Sequence, residues 1–172
     1  MIAAMTLAAA LASPAPPQAP DPVLVAVVRG VEACFARQFP VFMPDGYDEA
    51  AFLTEHGFRP VDLETGSRFW YWGDASRGVG FETFDGCAVL VSRSTLTEAQ
   101  LVASLDDWGR QVGFAKVEQE PGYALFELRT TGPTPSACSD DGKARGGSRH
   151  EIELTTEQGI WALDFYKGVW CE

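Results

Sequence analysis

Hydrophobic positions fall into recognisable periods from residue 22 onward. Asp21-Pro22 supplies an N-cap and a proline for the first helical position. Leu24, Val27, Val28, Val31, Cys34 and Phe35 then recur at helical spacing. The pattern predicts a helix over 22–37, ended before Phe39-Pro40. Gly30 weakens it by about 1 kcal/mol relative to alanine. A shorter helix is expected from about Tyr47 to His56, introduced by Asp45 or Tyr47, with Asp48 and Glu49 in its first turn. Gly57 suits the left-handed cap, Phe58 the apolar contact that follows one, and Pro60 prevents continuation. A third helix opens on Thr95-x-x-Glu98, which reads as a capping box. Leu101, Leu105, Trp108 and Val112 form its apolar stripe, and Gly113 stops it.

Between and after these helices the period changes to two. Strands are expected over 68–72, 79–84 and 87–92, with Asp85-Gly86 as a hairpin turn between the last two. Three more follow the third helix. The first begins with Phe114 to Glu118 and is clearer from Tyr123 to Arg129; the others cover 151–156 and 160–167. Trp161, Leu163 and Phe165 alternate with Ala162, Asp164 and Tyr166, so one face is strongly apolar. Gly57-Phe58 and Gly113-Phe114 each close a helix that leads into about three strands. The expected fold is α+β: a mostly antiparallel sheet with about three helices, arranged as two α-β-β-β halves with the helices on one face. The connection from Thr130 to Arg149 is long for a compact domain, and such loops are either functional or disordered.

The N-terminus has a different character. Residues 1–20 carry no Asp, Glu, Lys or Arg, and Ile2 to Ala12 is a short apolar run. Ala10-Leu11-Ala12 fits a signal-peptidase site with cleavage before Ser13, although a basic n-region is missing. This divides the chain into a signal peptide (1–12), an Ala/Pro-rich linker (13–21) and one α+β domain (22–172), and places the protein in the periplasm or outside the cell. Cysteine usage agrees. Cys34, Cys87, Cys138 and Cys171 are 53, 51 and 33 residues apart, without metal or redox spacing. An even count behind an export signal suggests two disulfides. Three connectivities are possible; Cys34–Cys87 with Cys138–Cys171 is preferred, because the second bridge would pin the long loop.

The chain has 172 residues and a net charge of −11, which disfavours binding to phosphate backbones. No apolar run reaches spanning length, so no membrane span is expected. No nucleotide, zinc-protease or serine-hydrolase motif occurs, and no cofactor or metal is indicated. The Gly78-Val79-Gly80 pair reads as a twisted strand or bulge. Asp140-Asp141-Gly142 resembles part of a calcium loop without its spacing, and reads more simply as a solvated acidic turn. His56 is placed to complement the dipole of the second helix. His150 enters a strand as an edge residue, facing away from Glu151 and Glu153.

The aromatic run Phe69-Trp70-Tyr71-Trp72 is the most suggestive feature. Its alternation puts Trp70 and Trp72 on one face, either as an exposed platform for sugars or a protein partner, or as core beneath a covering element. The leading expectation is an exported, non-catalytic binding or protein-interaction module of the cell envelope, with an envelope protein or a saccharide as partner. Its contact residues would be Trp70 and Trp72 together with the loop carrying Asp140 and Asp141. The alternative is a small secreted hydrolase using His150 or carboxylates among Glu82, Asp140, Asp141, Glu151 and Asp164.

Overall fold

A computed structural model of the chain describes residues 19–38, 45–62, 68–74, 78–82, 87–92, 96–131 and 146–171. The signal-peptide and linker expectations for residues 1–18, and those resting on Cys138, Asp140 and Asp141, lie outside the described residues.

Among the described residues, three helices and eight strands follow in the order α1 (Pro22–Gln38), α2 (Glu49–Glu55), β1 (Arg59–Asp62), β2 (Arg68–Gly73), β3 (Gly78–Glu82), β4 (Ala88–Ser92), α3 (Glu98–Val112), β5 (Ala115–Glu120), β6 (Tyr123–Thr131), β7 (Gly146–Glu157) and β8 (Ile160–Cys171). The strands form one antiparallel sheet in the order β1-β2-β3-β4-β8-β7-β6-β5. Two four-stranded meanders therefore meet at β4 and β8, where Val89 pairs with Leu163 and Val91 with Trp161. The fold is α+β, as expected. Each half carries four strands after its helix, however, where three were expected.

The likeness between the halves is geometric. At the end of α2 the Phe58 N–H donates to Leu53 O, and at the end of α3 the Phe114 N–H donates to Gly109 O, each reaching five residues back. Gly57 (φ +83°) and Gly113 (φ +96°) turn the chain in the left-handed region, where a side chain would be strained. Both phenylalanines are buried, and the next residue opens β1 or β5.

Register explains the core. Trp70, Phe81, Val89, Leu163, Leu154 and Ala124 occupy successive paired positions across six strands, and all are buried. Helix α1 lies on this face over β3, β4 and β8, while α3 lies over β5 and β6. The opposite face carries Phe69, Tyr71, Leu90, Asp164, Glu153 and Tyr123, all half-buried. Across β3, Gly80 leaves room for the Phe69 ring: a Cβ there would stand 2.6 Å from Phe69 Cζ.

Caps set the helix starts. Asp21 Oδ1 accepts from the Val23 N–H at 2.8 Å. Asp48, expected inside α2, is its N-cap and accepts from the Ala51 N–H at 3.1 Å. The capping box of α3 is Thr97 with Gln100, two residues beyond the expected Thr95 and Glu98. Glu98 instead accepts from the Gly122 N–H, tying the start of α3 to the β5–β6 turn. Cys34, on α1, is disulfide-bonded to Cys87 just ahead of β4 (Cα–Cα 5.5 Å). Cys171 is also disulfide-bonded. Among the described residues, no helix is long and apolar enough to cross a membrane.

Candidate binding cavity

The apolar stripe of α3 runs from the fully buried core to its margin. Leu101 and Leu105 are fully buried, but Trp108 and Val112 continue the stripe toward the end of β6, where Leu128 and Thr130 follow the buried Phe126. Helix α1 brings Phe35 to the same end, and α2 brings Phe52. These elements leave a cavity of about 630 Å³ bordered by Glu32, Phe35, Tyr47, Phe52, Trp108, Val112, Leu128 and Thr130. That volume is in the range of sites for small organic molecules, which are typically apolar with few polar groups.

Aromatic packing fixes the walls. The Phe35 ring meets Trp108 edge-on (centroids 5.8 Å, 82°), and both contact Phe114. Tyr47 immediately precedes the N-cap of α2, and its ring lies 5.8 Å from that of Phe52, four residues past the cap. Such a pair is a hydrophobic staple, which fixes how the chain enters the helix. His56 closes α2, and its ring packs edge-on against Phe52 (4.6 Å, 69°). A second concavity of about 410 Å³ lies between α1 and α3 and shares Glu32 and Trp108 with the first.

Among the described residues, polar groups at the 630 Å³ cavity are few. Glu32 is paired with Arg29 at 2.5 Å. Glu49, beside Tyr47, is paired with Arg37 at 3.4 Å. The Tyr47 hydroxyl is buried and finds no hydrogen-bond partner among the described residues. Burial, then the negative charges of Glu49, Glu32 and Asp48, push its pKa up to about 12. It is therefore a protonated donor at neutral pH. Among the described residues, no group of three His, Cys, Asp or Glu side chains is disposed to hold a metal ion.

Of the residues singled out in the sequence, those described lie elsewhere. Trp70 is 6% exposed and belongs to the core, and Trp72 packs against that core beside Gly57. The strand is covered on the helix side, so Trp70 offers no open face to a sugar. His150 is not an edge residue. It sits within the inner strand β7, 4% exposed, paired in register with Leu128 and Lys167. Burial, then the nearby charge of Lys167, lowers its pKa to about 4. Glu151 and Glu153 point to the other face of the sheet, so the fold separates them from His150. Asp164 and Glu153 are register partners on that opposite face. The long connection is shorter than expected, because β6 runs to Thr131 and β7 starts at Gly146.

The cavity residues Tyr47, Phe52, Glu32 and Leu128 had no distinguishing signature in the sequence. The one available signal was an aromatic pair flanking the Asp48 cap. No protein-family profile matches the chain, and no curated protein or solved structure matches it.

Proposed function

We propose that this chain is an exported, non-catalytic binding module of the cell envelope that takes an apolar ligand between its helices and the end of β6. The observation that carries this reading is the 630 Å³ cavity walled by Phe35, Phe52, Trp108, Val112 and Leu128. Most apolar side chains of such size in a domain are buried against one another on every side; here they pack against the core on one side and border a space on another. The periplasmic or extracellular address rests on the uncharged apolar N-terminus and on the buried Cys34–Cys87 bridge, which persists in an oxidising compartment.

A neutral dye whose emission rises in apolar surroundings, N-phenyl-1-naphthylamine, tests the reading. Wild-type protein should enhance its fluorescence saturably with one site per chain. Val112→Trp and Leu128→Trp, each shown by circular dichroism to be folded, should abolish the enhancement by filling the space. No saturable enhancement by wild type, or equal enhancement by both folded variants, overturns the reading. Recovery of the mature chain from the cell interior with Met1 attached would overturn the address.

A further inference from the structure

An unpaired polar atom on one of the residues bordering this cavity narrows what it accepts. Resting on the binding role proposed above, we infer that the ligand is a neutral, predominantly apolar molecule carrying a hydrogen-bond acceptor, such as a carbonyl or ether oxygen, that takes the Tyr47 hydroxyl.

Three observations lead there. The Tyr47 ring has a structural task, since it staples the start of α2 against Phe52, and phenylalanine would perform it equally well. The hydroxyl contributes nothing to that staple. It is buried without a partner, an arrangement that costs stability and that native proteins rarely keep without a use. A ligand acceptor supplies the missing partner once the side chains that now close the hydroxyl off from water give way to the ligand.

The surrounding charge excludes the obvious alternative, a fatty-acid-like carboxylate. Glu32 lines the cavity, and Glu49 and Asp48 flank Tyr47. The nearby cations, Arg29 and Arg37, are already paired with Glu32 and Glu49. An anion entering here meets like charge and loses its hydration without gaining a counter-ion. A neutral molecule bears neither cost.

Three probes of matched size separate the possibilities: 1-ethylnaphthalene, 1-acetylnaphthalene and 1-naphthoate, titrated into wild-type protein and Tyr47→Phe and followed by Trp fluorescence. Wild type should bind the ketone roughly five- to tenfold more tightly than the hydrocarbon, the worth of one net hydrogen bond. Naphthoate should bind weakest of the three. Tyr47→Phe should make ketone and hydrocarbon equal while leaving hydrocarbon affinity unchanged, which shows the cavity intact. The same ketone preference in Tyr47→Phe, no preference in wild type, or naphthoate binding as tightly as the ketone overturns the assigned ligand class. Failure of the hydrocarbon to bind wild type at all overturns instead the binding role on which that class rests.

Discussion

Tyr47 and Phe52 stand ring to ring across the N-cap of α2, 5.8 Å apart and tilted by 48°, and only the phenol brings a polar atom that the fold leaves unanswered. Removing that atom while keeping the ring separates stability from function. Tyr47→Phe should unfold in urea with unchanged stability or a gain of up to about 1 kcal/mol, because an unsatisfied buried donor disappears and the staple remains. A loss of more than about 1 kcal/mol would mean that the hydroxyl has a structural partner.

Helix α1 rests on β4 through Gly30 and Val89. A Cβ at Gly30 would stand 3.1 and 3.2 Å from the two Val89 methyl carbons. Two effects oppose each other in Gly30→Ala: helix propensity gains about 1 kcal/mol, and overpacking against a fully buried valine costs about 1–3 kcal/mol. The expected net effect is a loss of roughly 1 kcal/mol by these figures. In a Val89→Ala background, where the methyls are gone, the same substitution should become stabilising. Chemical denaturation of the four proteins reads the sign change directly. An unchanged sign would show that α1 does not press on β4 at this point.

The Cys34–Cys87 bridge spans 53 residues of sequence and links α1 to the start of β4. Closing a loop of that length in the unfolded chain corresponds to about 4 kcal/mol on the chain-entropy account. Cys34→Ala/Cys87→Ala should lose about 3–4 kcal/mol in a denaturant titration, including the packing of two buried sulfurs. A loss below about 1 kcal/mol would mean that α1 is held by its apolar contacts alone.

His150 predicts an acid-sensitive fold. Its pKa is lowered from 6.5 to about 4 in the native protein, first by burial and then by Lys167. The unfolded chain takes up a proton on this ring as pH falls through about 6.5, while the native chain resists until near 4, so stability drops across that window. The contribution lost is up to about 3 kcal/mol. Carboxylates add their own dependence, so the comparison is between wild type and His150→Gln. The variant should show a flatter loss of stability from pH 6.5 to 4; parallel curves would remove His150 as a cause.

Much of this architecture is legible in the chain because its patterns are local. The 3.6-residue stripe of α3 and the alternation of Trp161, Leu163 and Phe165 reflect one buried side of a single element. The errors have equally specific causes. The segment Thr95-Leu96-Thr97-Glu98-Ala99-Gln100 satisfies the capping-box pattern in two registers. The later register prevails and leaves Leu96 just outside the cap, buried in the core. Strand β5, Ala115–Glu120, is exposed at all six positions and built largely from Lys, Glu and Gln, so neither burial nor propensity marks it. Its existence follows from pairing with β6 across the Pro121-Gly122 turn. Gly146-Gly147 looks like a turn in isolation, yet both pair with β8. At Gly147 a Cβ would collide with Thr130 O at 1.9 Å, so strand packing itself calls for glycine. The cavity could not be read from the sequence because its walls come from α1, α2, α3 and β6, and only their relative placement creates the space.

The most direct test of the account is to locate a bound neutral ligand by nuclear Overhauser effects, using protein labelled at Leu and Val methyl groups and 1-acetylnaphthalene. Contacts are expected from the naphthalene protons to the methyls of Val112 and Leu128, which border the cavity. Contacts confined to Leu90 and Leu125, on the opposite face of the sheet, would contradict it.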